Sequence, residues 1–516
     1  MTDTTTSEAR RGNQHSDAPV GRATIHTGMT AALTLIIATV LLCLALYQQW
    51  KPLPDGLSMA GPERLLLDPR LLIDHTWHDR DGNGHLEHEI FDEILRLIGQ
   101  AQRLIVVDMF LFNASGGGET LRPLHQELTE ALLQRRHERP DLPILVITDP
   151  FNTQYGGVRS PELEQLRAAD IPVIETPLQP LRDSNPLWST LWRVCCQWFG
   201  NRADGGWLPT PINDDKVPLR SYLALLNFKA NHRKVLVVDE GADWRGLISS
   251  GNPHYGSSRH SNIALSFAGP AALDLLDSER AVARLAGRDL PPVQPRPTPD
   301  RPLSTDEEAT QGQQATRGQI VTEGKIRAAA LAMIAGAARG DRLDIAMFYL
   351  SHRGIVEALI AARQRDVIVR VLLDPNRDAF GMEKDGVPNR PMARDLHRAG
   401  IPVRWSNTHG EQFHTKAMMR RDRNGSWQLL LGSANFTRRN LDDYNLETNI
   451  LLKADAATAV SGRFSNYFEH SWQGAWLESE ASSSAPLSLD YEAWRDDSWF
   501  KYWRYRVMEA TGLSTF

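Results

Sequence analysis

The chain is 516 residues long, and its 41% hydrophobic and 23% charged residues make an ordinary globular balance. At about 150 residues per domain, two or three domains are expected. Acidic residues outnumber basic ones by 63 to 57, which argues against a protein built mainly to coat nucleic acid. Three cysteines exclude a disulfide-rich scaffold and any four-cysteine zinc site. Only nine basic residues are lysine, so a lysine in a repeated position is unusually informative.

Residues 1–26 form a polar, Thr/Ser-rich tail expected to be disordered. Residues 27–50 read as a membrane anchor, because Met29 to Tyr47 carries no charge. At about 1.5 Å per residue that stretch crosses a hydrocarbon core of roughly 30 Å. Tyr47, Trp50 and Lys51 stand where interfacial anchors belong. A cleaved signal peptide is the competing reading, but its apolar region is usually only about 7–15 residues long. Arg10, Arg11 and Arg22 before the span, against Lys51 and Arg64 after it, place the body of the protein outside the cytoplasm of a bacterial inner membrane crossed once. Cys195 and Cys196 leave the redox compartment undecided.

Two halves then follow one plan. In residues 61–287, a helix at 89–100 precedes an apolar strand at 103–112 with Asp108-Met109-Phe110. A helix at 121–136 leads to a strand ending Thr148-Asp149-Pro150, and a helix at 162–169 leads to a strand at 171–174. In residues 319–478 the helix at 324–338 precedes the strand at 343–349 with Ala346-Met347-Phe348. Helices at 354–364 and 392–399 then alternate with strands ending Leu373-Asp374-Pro375 and at 401–404. Apolar strands alternating with helices predict parallel sheet covered on both faces. A Pro/Gln/Thr-rich linker at 288–318 joins the halves, and an aromatic segment, 479–516, ends the chain.

Chemistry gathers at the end of each half. Asn231-His232-Arg233-Lys234 opens a strand that reaches Asp239, and Ser250 and Asn252 follow, Asn252 lying 13 residues beyond Asp239. Phe413-His414-Thr415-Lys416 is followed by Asp422, Ser433 and Asn435, again with 13 residues from Asp to Asn. Chance supplies about 0.3 His-x-Lys triplets in such a composition, yet two stand in equivalent places. Side chains two apart on a strand share a face, so each His and Lys reach one ligand. An imidazole that attacks phosphorus and an ammonium that neutralises the non-bridging oxygens suit a phosphodiester. Two facing sets supply a nucleophile and a leaving-group acid. No further His or Cys completes a metal set around His232 and His414, so no metal is expected there.

These residues resemble the phospholipase D superfamily, whose signature is H-x-K-x-x-x-x-D followed by G-x-x-N or G-S-x-N. The resemblance covers Glu89 to Leu452. It implies an α/β fold: a duplicated phospholipase D-like α/β sandwich with the active site between the halves, preceded by one transmembrane helix. It also implies a two-step reaction through a phosphohistidine, with no metal and no cofactor. His232 is then the nucleophile, and His414 first the acid and then the base. Lys234, Lys416, Asn252 and Asn435 hold the phosphate oxygens, with Ser250 and Ser433 nearby, while Asp239, Asp422 and Glu447 support the histidines. Arg421 occupies the second motif's acid position, so a one-residue bulge is expected between Lys416 and Asp422. Glu447 lies twelve residues after Asn435, and the residue twelve after Asn252 is Ala264. The first half is therefore expected to lack that acid.

Similarity to cardiolipin synthases implies phospholipid as substrate, with water or an alcohol as acceptor, and does not separate hydrolysis from transfer. A superfamily nuclease and an inactive lipid-binding protein stay open as alternatives. The acidic balance and the anchor disfavour nucleic acid as partner. An insertion at about 177–224 carries Leu187, Trp188, Leu191, Trp192, Cys195, Trp198 and Phe199 at helical spacing, either for a lipid interface or for packing. Trp499, Phe500, Tyr502 and Trp503 repeat the pattern near the C-terminus. Asp79-x-Asp81-x-Asn83-Gly84 imitates a calcium loop, but Ile90 stands where a bidentate Glu is required, so a polar turn is expected.

Overall fold

The computed structural model describes residues 20–79, 81–115, 121–210, 215–293, 315–379, 382–473 and 486–514. Most of the expected tail (1–26) and linker (288–318) lies outside the described residues. The anchor is a helix over Val20–Trp50, so it starts within the segment expected to be disordered. Proline is favoured at helix starts, and Pro19 stands just before it. Once an apolar helix is nucleated, each further residue adds a hydrogen bond. Met29–Trp50 is long and apolar enough to cross a membrane, and none of its most apolar window is buried.

Each half is one sheet. The first runs, in space, Gly84–Glu87, Leu67–His78, Asn262–Ala268, Asp243–Ser249, Lys234–Glu240, Ile105–Met109, Ile144–Thr148, Val173–Glu175. The second runs Arg64–Leu65, Arg317–Thr322, Thr448–Ala454, Trp427–Gly432, Lys416–Arg421, Arg342–Met347, Ile368–Leu373, Val403–Ser406, Ser488–Asp490. From Leu67–His78 to Val173–Glu175 and from Arg317–Thr322 to Val403–Ser406 the orders correspond strand for strand, and Ser488–Asp490 extends the second sheet by one. The sheets are mixed, not parallel throughout as expected. Ile105–Met109, Ile144–Thr148 and Val173–Glu175 pair in parallel, whereas the motif strand and its neighbours return antiparallel through hairpins. Apolar runs report burial on both faces but not strand direction, which the short hairpin links decide.

Alternation sorts each motif strand. Val235 and Val237 join a core built with Ala417, Met419, Leu429 and Ile450 of the other half. Leu236 and Val238 face the helices Ile90–Gln100 and Leu124–Glu138. The halves thus share a core, and the helix Pro270–Leu285 touches strands of both sheets.

The insertion folds as a helix over Pro186–Cys195, a two-stranded piece (Leu208–Pro209 with Lys216–Val217) and a helix over Leu219–Leu225. Asn185 caps the first helix through Trp188 N–H. Its aromatic residues divide. Trp192 is buried under Arg220, and Trp188 Nε1 donates to Leu223 O at 2.8 Å. Leu187, Leu191, Val194, Trp198 and Phe199 are exposed, Leu187 and Trp198 by 80% and 75%. Cys195 and Cys196 form a vicinal disulfide. The C-terminal helix Trp499–Thr511 divides likewise, with Tyr505 buried and Trp499, Phe500 and Trp503 exposed. Asp79 Oδ1 accepts Asp81 and Asn83 N–H in the hairpin turn between His78 and Gly84.

Candidate active site

Each motif histidine stands just before its strand and is pinned to the opposite half. His232 N–H donates to Leu446 O and His414 N–H to Ser261 O, both at 2.9 Å. The residue before each is held too: Asp149 accepts Asn231 N–H and Asp374 accepts Phe413 N–H, each at 2.7 Å. Those aspartates belong to the repeated Asp-Pro pairs that close the second strand of each half's plan.

The imidazoles have unlike partners. His232 Nδ1 lies 2.8 and 3.0 Å from the two carboxylate oxygens of Glu447, which also accepts from Ser433 and Asn440. His414 Nδ1 lies 3.0 Å from Asn262 Oδ1, which also accepts from Ser250. Asn262 is therefore the first half's counterpart of Glu447, and Ala264 is not. Phe110 flanks His232 with ring centroids 4.8 Å apart, and Phe348 flanks His414 at 4.9 Å. The repeated Met-Phe pairs were the sequence signal for these two rings. Nothing in the spacing pointed to Asn262.

Lys234 Nζ donates to His232 O at 2.7 Å and Lys416 Nζ to His414 O at 2.9 Å, leaving further ammonium hydrogens for a ligand. Both lysines are buried. Burial pushes Lys234 down to about 7, and burial with the charge of Lys234 pushes Lys416 well below the usual ammonium value. Burial also pushes His232 down to about 4 against the pull of Glu447, and pushes His414 well below the imidazole range with help from Lys416. Burial opposes ionisation of Glu447, yet His232 and Lys234 hold its carboxyl below the ordinary value. The cluster is short of negative charge, and an anion among these groups would restore the proton affinity of all four bases. Asn252 and Asn435 are buried; Asn252 Oδ1 accepts Leu111 N–H at 3.4 Å, and Asn435 Oδ1 has no hydrogen-bond partner among the described residues.

Four expected members stand elsewhere. Asp239 is at the far end of the strand from His232, where it accepts Gln102, Arg103 and Leu104 N–H at 2.7–3.1 Å. Asp422 lies in the hairpin turn and accepts Asn424 and Ser426 N–H. The expected bulge is absent: Ala417 to Arg421 pair without a break with Leu431 to Trp427. Arg421 opposite Trp427 matches Asp239 opposite Trp244, so the extra residue sits in the turn. Ser250 and Ser433 brace Asn262 and Glu447, and each hydroxyl also accepts a backbone N–H. Both hydroxyls are thus engaged with the groups behind the histidines.

The family model described as "Cardiolipin synthase, PLD-like domain" matches residues 331–472. The second half is a phospholipase D-like domain. The whole fold is similar to that of phosphatidylserine synthase from Haemophilus influenzae, at TM-score 0.51 and 12% identity, over 88% of this chain and 96% of that one. Polyphosphate kinase from Porphyromonas gingivalis matches 86% of this chain at 13% identity and TM-score 0.42, and this chain spans 53% of its length. A phospholipase D family member from Salmonella typhimurium, Nuc, matches 35% of this chain and 99% of its own at 19% identity and TM-score 0.26. No curated protein matches the chain. The first half repeats seven strands of the second half's sheet in the same order and brings its histidine against Glu447.

Proposed function

We propose that this chain is a membrane-anchored phospholipase D-type phosphodiesterase or phosphatidyltransferase acting on phospholipids through a phosphohistidine. The observation that carries the reading is the unequal pair of partners, a carboxylate behind His232 and an amide behind His414. A carboxylate accepting from Nδ1–H raises the nucleophilicity of Nε2 and neutralises the imidazolium that forms when Nε2 bonds to phosphorus. An amide orients His414 without that charge, so its protonated ring gives up its proton readily.

In the first step His232 Nε2 attacks phosphorus, the bond to the leaving alcohol breaks, and His414 protonates that alcohol oxygen. Lys234, Lys416 and the amides of Asn252 and Asn435 hold the non-bridging oxygens. In the second step His414 takes the proton of the incoming water or alcohol, whose oxygen displaces His232 from phosphorus. Water yields the phosphatidate and an alcohol yields a new phosphodiester, as a cardiolipin synthase-like transfer requires. The exposed apolar span Met29–Trp50 supports single-pass insertion in a bacterial inner membrane.

Trapping with a radiolabelled phosphodiester lipid tests the assignment. Acid-labile, base-stable label is expected on wild-type protein and absent from His232→Ala. Label on His414 alone reverses the roles, and label on neither with full turnover removes the covalent route. Turnover of DNA but not of lipid vesicles would favour the nuclease reading.

A further inference from the structure

A second cluster of chemistry-bearing residues lies apart from the two motif lysines and Glu447. His78, His409 and Glu411 each offer one ligand atom, and those atoms all lie within 4.8 Å of one another. His78 ends the strand Leu67–His78 of the first half, while His409 and Glu411 belong to the loop that leads into Lys416–Arg421 of the second. The two imidazole rings have centroids 4.2 Å apart. His78 Nδ1 is buried without a hydrogen-bond partner among the described residues. Glu411 is 5% exposed, accepts His409 N–H at 2.9 Å, and has no Lys or Arg ion pair among the described residues.

A buried carboxylate facing two imidazoles, with no Lys or Arg paired to it among the described residues, is costly unless a cation completes the set. Two imidazole nitrogens and one carboxylate oxygen suit zinc, with a water in the fourth position. Bonds of about 2.0–2.2 Å to a tetrahedral ion need donors roughly 3.3–3.6 Å apart, which the side chains reach by closing in on the order of 1 Å.

We propose that His78, His409 and Glu411 form a zinc-class divalent metal site that clamps the first half to the loop carrying His414. Glu411 is three residues before His414, and the same loop is already laced to the first half. Gln412 N–H donates to His260 Nδ1 and Ser261 N–H to Gln412 O, both at 3.1 Å. The strand of His78 is held to the same place, since Thr76 N–H donates to Ser261 Oγ at 3.1 Å. An ion there ties the strand Leu67–His78 to the loop before His414 and takes no part in its proton transfer. The proposal does not depend on the phospholipid reading.

The test uses the full chain in detergent, equilibrated with zinc chloride and then dialysed against metal-free buffer. Elemental analysis should find about one zinc per chain in wild type and in His232→Asn, and little in His409→Gln or Glu411→Gln. Cobalt(II) in place of zinc should give ligand-field absorption bands that both variants lose. Zinc should raise the thermal midpoint of wild type and not that of the variants. His409 is exposed, so His409→Gln keeps the fold, and circular dichroism verifies it. His78→Gln provides a second ligand deletion. Wild type that retains no zinc and shows no cobalt bands overturns the site, as does zinc retained equally by all three ligand variants.

Discussion

Glu447 and Asn262 divide one imidazole chemistry between two histidines, and pH should reveal the division. In the free protein His414 lies well below the usual imidazole value and His232 lies at about 4, so at neutral pH both are mostly unprotonated. The proposed mechanism needs His414 protonated and His232 neutral. The protonated fraction of His414 falls as pH rises, so kcat/KM should decline through neutrality and peak on its acid side. The acid limb reports protonation of His232. Asn262→Asp adds a negative charge beside His414, raises its proton affinity and should move the descending limb to higher pH. A limb that stays in place would remove His414 as the acid. Glu447→Gln should lower kcat by about tenfold or more, at least about 1.4 kcal/mol in the barrier, at unchanged thermal midpoint. The two His-x-Lys pairs and the asparagines were legible because they recur at fixed spacings, and Glu447 through the family resemblance alone. Asn262 was not, since it follows Asn252 by ten residues where Glu447 follows Asn435 by twelve. The loop between them has its own length in each half, and counting residues cannot supply it. Asp239 was misread for the opposite reason: its spacing is regular, but its place is at the wrong end of the strand. Asp239→Ala should cost about 1–3 kcal/mol of stability by leaving backbone N–H groups without an acceptor, with little change in kcat. Asp422→Asn should be mild in both.

Between the elements, the side chain between His232 and Lys234 carries the fold. Alternation turns Arg233 to the opposite face, where it is fully buried and ion-paired with Glu279 at 3.0 Å and Glu323 at 2.6 Å. Glu323 belongs to the second half, and its Oε1 also accepts Glu447 N–H at 3.2 Å. One guanidinium thus joins the first motif strand, the helix Pro270–Leu285 and the backbone of the acid behind His232. Arg233→Met should destabilise the protein by about 3–5 kcal/mol, because two buried carboxylates lose their cation, and thermal or urea unfolding would measure it. The second half has Thr415 at this position, bonded to Tyr467 Oη at 2.8 Å, so Thr415→Val should cost far less. The repeat of strands and helices was plain in the sequence because both faces of each central strand are apolar. That same property hid strand direction, and it hid the polar pairing that crosses between halves, since complementary charges far apart in sequence leave no periodic trace.

At the scale of the molecule, the insertion faces two ways. Trp192 is inward and Leu191, Trp198 and Phe199 outward, so helical spacing alone did not reveal which side faces the solvent. Leu191→Ser with Trp198→Ser should slow turnover of long-chain lipid in bilayers and leave a short-chain soluble substrate unaffected. Trp192→Ser should instead lower the thermal midpoint and both activities together. The foot of the anchor helix is bonded to this insertion. Gln48 O accepts Asp183 N–H at 3.1 Å, Lys51 O accepts Arg182 Nε–H at 2.8 Å, and Asp183 is ion-paired inside with Arg193 and Lys229, three residues before His232. As the proposed span, a helix fastened so firmly is a post and not a tether, fixing the height and tilt of the site above a single bilayer. On that reading the protein should work on the leaflet in which it stands. In proteoliposomes, labelled phospholipid in the same membrane should be consumed, while the same lipid offered in separate protein-free vesicles should persist.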